Sequence, residues 1–189
     1  MKEIATPEQL LTETAKILEK RRIRYFITGG IAVTVWGKPR FTADIDIVIA
    51  IPSEKTALLL VEELKKIDSS IYVEPEAAIK AIAREGEFNL IHPNTGLKID
   101  FWILKNNAFD KNRIKRAQAK KLKGQKIYFT SPEDLILIKL LWYKESGSSK
   151  HLEDAQSVLK FSKVNFAYLK KWAKKQLTFT ILKKFHEFQ

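Results

Sequence analysis

The stretch that most constrains the fold is residues 25–51, YFITGGIAVTVWGKPRFTADIDIVIAI. Residues 24–28 are mostly β-branched or aromatic, which predicts a short strand. Gly29 and Gly30 end that strand, and a helical turn is expected over residues 31–36. Glycines between a strand and a helix let the backbone approach an anion closely, and the N–H groups of a helix start point toward it. We therefore expect this turn to bind phosphate.

A pair of carboxylates follows in a second predicted strand, residues 44–49. Alternation along a strand sends Asp44 and Asp46 to one face and the intervening isoleucines to the other. Their backbones would be roughly 6.5 to 7 Å apart, so both side chains could bracket two metal ions about 3.5 to 4 Å apart. All-oxygen ligands favour magnesium. The alternative is an edge strand with solvated aspartates.

The glycine pair, thirteen further residues and then Asp-Ile-Asp-Ile resemble the signature of the nucleotidyltransferase superfamily, which includes the DNA polymerase beta group. The longer run is most similar to the prokaryotic branch of AbiEii-type abortive-infection toxins and minimal nucleotidyltransferases. In that branch a Gly-x-x-Arg-x-Thr-x-Asp-x-Asp stretch is common, and here it consists of Gly37, Arg40, Thr42, Asp44 and Asp46. The resemblance covers the catalytic half and implies an α+β fold, a mixed β-sheet flanked by helices.

The same resemblance implies a third carboxylate from a later strand. Residues 97–103 offer Asp100 in that setting, although a strand aspartate paired with a neighbouring Lys or Arg is the structural alternative. The run SPEDLILIKLL resembles the segment after the catalytic domain in the AbiEii-type branch, and it contains Lys139. Lys139 would reach a phosphate or the carboxylates, whereas extension of its ammonium to water is the alternative.

The chemistry implied by the resemblance is transfer of a nucleoside monophosphate from a nucleoside triphosphate to an acceptor hydroxyl. Asp44, Asp46 and Asp100 would be the catalytic residues and would hold two Mg²⁺ ions. Nucleotide contacts would come from Gly29, Gly30, Arg40, Thr42 and Lys139.

The composition, the cysteine count and the amino terminus indicate what kind of protein this is and in which cellular compartment it is expected. A chain of 189 residues with 45% hydrophobic residues can form a packed core. The absence of cysteine excludes disulfides, thiolate zinc sites and thiol nucleophiles. The amino terminus lacks the apolar core of a signal peptide, and no apolar run is long enough for a membrane span. These features predict a cytoplasmic protein without a membrane partner.

The net charge of +12 favours a polyanionic partner, because Lys and Arg release counterions when they neutralise phosphates. Eight basic residues and no acid lie between positions 111 and 129: Lys111, Arg113, Lys115, Arg116, Lys120, Lys121, Lys123 and Lys126. This segment predicts an RNA partner. A lysine-rich organism would produce some of the same excess without RNA.

Capping patterns and periodicity predict a nucleotidyltransferase-like catalytic domain over residues 1–129 and a helical C-terminal region packed on it over residues 130–189. Helices are expected over 7–21, 54–66, 75–84, 108–119, 132–143, 150–161, 165–176 and 179–188. A strand over 87–92 should meet the strand of Asp100 through the turn Pro93-Asn94-Thr95-Gly96, and a hairpin is expected over 121–129.

Three classes of function remain at this stage. The first is an enzyme that adds nucleotides to RNA such as tRNA ends, within a toxin-antitoxin or phage-defence system. The second is an enzyme that transfers AMP to a hydroxyl of a partner protein, a cognate toxin or antitoxin, with a small-molecule acceptor as a variant. The third is a non-catalytic nucleotide-binding or RNA-binding protein with the same fold. The intact carboxylates argue against the third, and the basic surface favours RNA.

Overall fold

A computed structural model describes residues 4, 6–42 and 44–186 of the chain. Two compact units share these residues. The first consists of the chain up to Ile31 together with residues 41–129, and the second of residues 32–40 together with the chain from Thr130 onward.

The first unit contains one seven-stranded mixed sheet in the order β3-β4-β5-β2-β1-β7-β6. Its strands are β1 (Arg24–Ile27), β2 (Asp44–Ala50), β3 (Tyr72–Val73), β4 (Glu87–His92), β5 (Leu97–Ile103), β6 (Gln118–Leu122) and β7 (Gln125–Phe129). β2 runs parallel to β5, and β1 runs parallel to β7. The other four pairings are antiparallel.

The helices are distributed along the whole chain. Their bounds are α1 (Pro7–Lys20), α2 (Gly29–Trp36), α3 (Glu54–Lys65), α4 (Pro75–Arg84), α5 (Ala108–Arg116), α6 (Pro132–Ser146), α7 (Ser149–Phe161), α8 (Phe166–Lys175) and α9 (Phe179–His186). α1 begins with a capping box between Thr6 and Gln9, and α3 is capped by the Ser53 hydroxyl. These caps satisfy backbone N–H groups that a helix start otherwise leaves unpaired.

The core of the first unit lies between the sheet and its helices. Ile45, Ile47 and Ile49 of β2 are fully buried, as the alternation of that strand requires. α3 contacts both α1 and α4, and all three helices contact strands of the sheet. α5 packs differently, because Ile114 joins Phe26 and Val48 in a separate small cluster. Val48 has the strand parity of Asp44 and Asp46, so α5 lies on the carboxylate-bearing face.

The second unit is helical. α6 packs against α7 and α8, and α8 against α9. The end of α2 is held within this unit because the Trp36 indole N–H donates to the Thr130 carbonyl at 2.8 Å. The Ser162 hydroxyl donates to the Trp36 carbonyl at 2.6 Å.

The predicted mixed sheet flanked by helices is confirmed. The two-residue strand β3 was not predicted, because so short a segment carries no periodicity. The predicted helix over 108–119 ends early, at Arg116. Residues 118–122 instead pair with residues 125–129, since five ladder pairs outweigh the weak helical preference of the segment. Residues 187 and 188 of the last predicted helix lie outside the described residues.

Within the described part of the chain, none of the helices combines the length and the apolar character that a bilayer span requires.

Candidate active site

Three aspartates share one face of the sheet on two adjacent strands. Asp46 of β2 is the register partner of Asp100 of β5, and Asp44 is the partner of Lys98. Neighbouring strands lie about 4.8 Å apart, so the three carboxylates occupy a small area. The structure therefore brings together the three aspartates, and their predicted catalytic role stays a prediction.

The glycine pair packs directly against this area. Gly29 has φ +62°, and a Cβ placed on it would lie 2.6 Å from the Cγ of Asp46. A Cβ on Gly30 would lie 2.5 Å from the Oγ1 of Thr42. Both positions consequently require glycine, because a side chain would displace Asp46 or Thr42. The start of α2 is thus held beside Asp46, where a phosphate ligand was predicted.

The Asp100 carboxylate is held by two neighbours. Lys98 Nζ lies 3.0 Å from Asp100 Oδ2 and 3.7 Å from Asp44 Oδ1. The side-chain amide of Asn89, the register partner of Asp100 on β4, donates to Asp100 Oδ1. The hydrogen bond to Asp100 is the main cause that raises the pKa of Lys98 above its ordinary value. Lys98 therefore stays charged and offsets the repulsion between two carboxylates.

Two further side chains extend this face along β4 and β5. The Trp102 indole N–H donates to Asp46 Oδ1 at 3.3 Å, and the residue remains 37% exposed. Glu87, the register partner of Trp102, is also exposed. Burial, followed by the charges of Asp100 and Asp46, raises the pKa of Glu87, while Lys98 opposes the shift. The face therefore combines an exposed aromatic ring with an acidic border.

The residues suit magnesium by the chemistry of their donors, since three carboxylates offer hard oxygen ligands. In the present arrangement Lys98 contacts two of them, and among the residues that the structure describes no three acidic or histidine side chains converge on a common point. Asp44, Asp46 and Asp100 would hold the metal once the Lys98 ammonium moved away from Asp44 and Asp100.

Arg40 and Lys139, both predicted nucleotide contacts, meet at Asp154 in the second unit. Arg40 Nε and Nη2 donate to the two Asp154 oxygens at 2.7 and 2.8 Å, and Lys139 Nζ lies 2.8 Å from Asp154 Oδ2. Lys139 and Asp154 are each only 3% exposed, so Lys139 does not extend to water. Burial acts to raise the pKa of Asp154, but hydrogen bonds from Arg40 and Lys139 outweigh it and lower that pKa. The nucleotide contacts of Arg40 and Lys139 stay a prediction.

Lys98, Asn89 and Trp102 were not predicted from the sequence. Lys98 and Trp102 are two residues before and after Asp100, so the same alternation that aligned the aspartates could have found them. To predict the contact of Asn89 with Asp100, the register of the β4–β5 hairpin must be known, and the predicted turn nearly determines that register.

One member of the basic segment is not available to a partner. Arg113 is buried, and its guanidinium lies 2.6 Å from Asp110 Oδ1 and 4.8 Å from the Phe26 ring centroid. Its charge therefore belongs to the packing of α5 rather than to an exposed basic surface.

No protein family and no curated protein matches this sequence. Similarity appears instead among solved structures. The antibiotic-resistance factor ANT(2'')-Ia is 14% identical, with a TM-score of 0.60 over 96% of this chain and 97% of that chain.

Two further structures support the same fold. An antigenic nucleotidyltransferase-like protein from Paracoccidioides brasiliensis is 20% identical, with a TM-score of 0.60 over 95% of this chain and 90% of that chain. The lincosamide antibiotic adenylyltransferase LnuA is 17% identical, with a TM-score of 0.54 over 85% of this chain and 100% of that chain. The chain therefore has a nucleotidyltransferase-like fold.

Proposed function

We propose that this protein is an enzyme that transfers a nucleoside monophosphate from a nucleoside triphosphate to an acceptor hydroxyl. The observation that carries the proposal is the packing of Gly29 against Asp46, with Asp44 and Asp100 beside them on one face of the sheet. In support of the proposal, a glycine turn suited to phosphate lies beside three carboxylates suited to a metal, on a fold similar to that of the lincosamide antibiotic adenylyltransferase LnuA.

Each residue then has a defined task. The backbone of Gly29 and Gly30 would hold the β and γ phosphates. Magnesium bound by Asp44, Asp46 and Asp100 would lower the pKa of the acceptor hydroxyl and stabilise the charge on the leaving pyrophosphate. Asp100 would accept the hydroxyl proton, and the hydrogen bond from the Asn89 amide would hold its carboxylate in position. Trp102 orients Asp46 by a hydrogen bond.

RNA is the acceptor that we propose first. α5 carries Lys111, Lys115 and Arg116, and it packs on the carboxylate-bearing face through Ile114. The exposed ring of Trp102 on the same face offers a surface on which a base can stack. Together they suit a strand end whose phosphates contact α5 and whose terminal hydroxyl reaches Asp100. A place in a toxin-antitoxin or phage-defence system rests on the sequence resemblance alone.

A small-molecule acceptor is the second candidate, favoured by Glu87. Its carboxylate borders the same face beside Asp100 and would attract a cationic acceptor but repel RNA phosphates. ANT(2'')-Ia has been solved in complex with adenylyl-2''-tobramycin, and LnuA in a lincomycin-bound form. Transfer of AMP to a hydroxyl of a partner protein is the third outcome to be tested.

The test is incubation of the full chain with each labelled nucleoside triphosphate, magnesium, and either total cellular RNA, protein lysate or a panel of aminoglycosides and lincosamides. We expect label to enter RNA. Label found only in protein or only in a small molecule would replace the RNA proposal with the corresponding candidate, and no label in any fraction would overturn enzymatic transfer.

The matched variant is Asp46→Asn, which keeps the shape of the side chain but removes a charge. We expect it to abolish transfer, because the site loses a shared metal ligand, and to leave the melting temperature unchanged or higher, because carboxylate repulsion falls. A variant that transfers at the wild-type rate in low millimolar magnesium would show that Asp46 is only structural.

A further inference from the structure

A cavity of about 440 Å³ lies in the first unit at the end of the sheet where β1 begins. The carboxyl ends of α1 and α5 border it, together with β1 and β7. In the β1–β2 register Arg24 pairs with Ala50, four residues along β2 from Asp46. That separation corresponds to about 13 Å of strand, so the cavity is distinct from the carboxylate site.

The charged residues at the cavity suit an anion. Arg22, Arg24 and Lys115 line it, against one carboxylate, Glu19, which accepts a hydrogen bond from the Gln125 amide at 3.1 Å. Three cations therefore face one acid that already has a partner. A phosphate group would be attracted by this balance and could receive several charge-assisted hydrogen bonds.

Arg22 occupies a position at the end of α1 where glycine is normally favoured. Its φ is +55°, and the Ile23 N–H donates to the Leu18 carbonyl at 2.9 Å, as in a Schellman motif. A residue with a side chain costs roughly 1 to 2 kcal/mol more than glycine in this left-handed conformation. The chain nevertheless has arginine here, and its side chain lines the cavity.

Tyr25 lines the cavity without adding a charge to it. The residue is only 3% exposed, and its hydroxyl is closed off from solvent. Burial is the main cause that raises the pKa of this hydroxyl, the charge of Glu19 adds to the shift, and a hydrogen bond with the Tyr128 backbone opposes it. The hydroxyl therefore stays neutral at neutral pH, and the three cations keep their excess over Glu19.

The remaining walls are apolar. Ile23 and Ile114 line the cavity, and the ring of Tyr128 lies edge-on to Tyr25 with centroids 5.8 Å apart. The cavity is within the size range of sites that bind small organic ligands. A planar base can lie against these side chains while a phosphate meets the cations.

We infer that this cavity is a second nucleotide-binding site, which holds the phosphate of one nucleotide unit with Arg22, Arg24 and Lys115 and its base against Ile114 and Tyr128. The unit has two sources, a free mononucleotide or one residue of single-stranded RNA, and both present the same phosphate and base. The inference does not depend on catalysis, because neither the three aspartates nor magnesium takes part.

The test is calorimetric titration of the full chain with AMP in the presence of EDTA, which removes the metal that the carboxylate site would need. We expect AMP to bind and adenosine to bind at least tenfold more weakly, since it lacks the phosphate. Arg22→Gln and Arg24→Gln should each weaken AMP about tenfold, whereas Lys105→Gln, an equal charge change in the first unit outside the cavity, should not. AMP binding should survive Asp46→Asn.

The Arg24→Gln variant keeps the test sound, because Arg24 is exposed and its replacement leaves the core unchanged. Competition by a single-stranded oligoadenylate that weakens in the same variants assigns the site to RNA, and competition unaffected by them assigns it to a free nucleotide. The inference is overturned if AMP does not bind, if Asp46→Asn abolishes its binding, or if Arg22→Gln and Arg24→Gln bind AMP as the wild type does.

Discussion

At the scale of single residues, the contact between Gly29 and Asp46 connects the turn to the carboxylates. The sequence pattern predicts glycine here for the sake of a phosphate ligand, but the structure adds a second reason, because Asp46 itself occupies the space of a Cβ. Nothing in the order of residues reveals this contact, since the two positions are seventeen residues apart and meet only through β1–β2 pairing.

Gly29→Ala is expected to lose nucleotidyl transfer by displacing Asp46, and Gly96→Ala provides its matched control. Gly96 has φ +69° but no atom within 4 Å of its Cβ position, so both variants share the backbone strain, roughly 1 to 2 kcal/mol, and only one has the clash. Activity and denaturant unfolding of the two variants should therefore separate strain from displacement. Equal activity in both would contradict a role for the Gly29–Asp46 contact.

Lys98→Met should increase magnesium affinity. Lys98 lies between Asp44 and Asp100, so the metal must displace its ammonium before it binds. Without Lys98 the carboxylates also repel one another more strongly in the metal-free protein, which further favours metal binding. Together the two effects should raise the magnesium affinity about tenfold, or roughly 1.4 kcal/mol.

Calorimetry with Mg²⁺ alone measures this change. The control is Lys105→Met, an equal loss of charge just beyond the end of β5. If Lys98→Met bound magnesium no more tightly than Lys105→Met, the Lys98 ammonium would not compete with the metal.

Period-two alternation explains why much of the site could be predicted. It placed Asp44 and Asp46 on one face, and Asp100 followed from the family resemblance rather than from the strand itself. The partners of these aspartates depend on which strands are neighbours, and β2–β5 pairing joins segments more than fifty residues apart. The contacts of Lys98 with Asp44 and Asp100 are likewise a property of the assembled sheet.

At the scale of elements, a buried ion triad fastens the segment after α2 to α6 and α7. Arg40 and Lys139 share Asp154, so removal of that carboxylate takes a close anionic partner from both cations. The place of Lys139 on an apolar helix face indicated that its ammonium needs a partner, but the identity of the partner could not be predicted because it lies on a different helix.

Asp154→Asn is expected to destabilise the protein by about 3 to 5 kcal/mol, because two cations would lie against a neutral amide. The lowered pKa of Asp154 fixes the sign of the pH effect: the stabilisation is present above the ordinary aspartate pKa of about 4 and is lost as pH falls through the lower folded value.

Denaturant unfolding between about pH 2.5 and 7 tests this prediction, with Lys139→Met as the partner variant in a double-mutant cycle. Wild-type stability should fall below about pH 4 more steeply than that of Asp154→Asn. A loss below about 1 kcal/mol at pH 7, or parallel pH curves, would show that the triad does not stabilise the fold.

Boundaries of elements were predicted to within a few residues wherever a cap or a proline marked them, as at α4, whose predicted and observed bounds agree. α5 is the exception. Its basic sequence has helical preference throughout, but β7 offers the following residues a partner. Tertiary pairing of this kind overrides local propensity.

At the scale of the whole molecule, the sheet order could not be predicted in detail. Local signals indicate the hairpins β4–β5 and β6–β7, which are contiguous in sequence. The parallel neighbours β2–β5 and β1–β7 are joined by long connections, and no local signal chooses them. Those two parallel pairings position the site, since one brings Asp100 to Asp46 and the other joins the basic hairpin to the sheet beside β1.

Net charge is also a property of the whole chain, and the distribution of that charge decides what binds. If the basic segment contacts RNA phosphates, replacement of Lys115, Arg116, Lys120 and Lys121 by Ala should weaken many RNAs about equally, because phosphate contacts carry no sequence information. Each cation that neutralises a single-strand phosphate adds about 0.7 to the slope of log affinity against log salt, so removal of about four should make that slope shallower by roughly 3.

The matched control replaces Lys163, Lys170, Lys171 and Lys184, four exposed lysines of the second unit, and thus lowers the net charge from +12 by the same amount. Filter binding of one single-stranded RNA over a range of salt concentrations compares the wild type with the two fourfold variants.

If the first unit has a specific RNA surface, the slope should be reduced only in the variant that lacks Lys115, Arg116, Lys120 and Lys121. Equal reductions for both sets would mean that the excess charge attracts RNA without a defined surface, as a lysine-rich composition alone would. An unchanged slope for both, together with RNA left unlabelled in the transfer assay, would remove RNA as the acceptor and leave the acidic border at Glu87 as the guide to a cationic one.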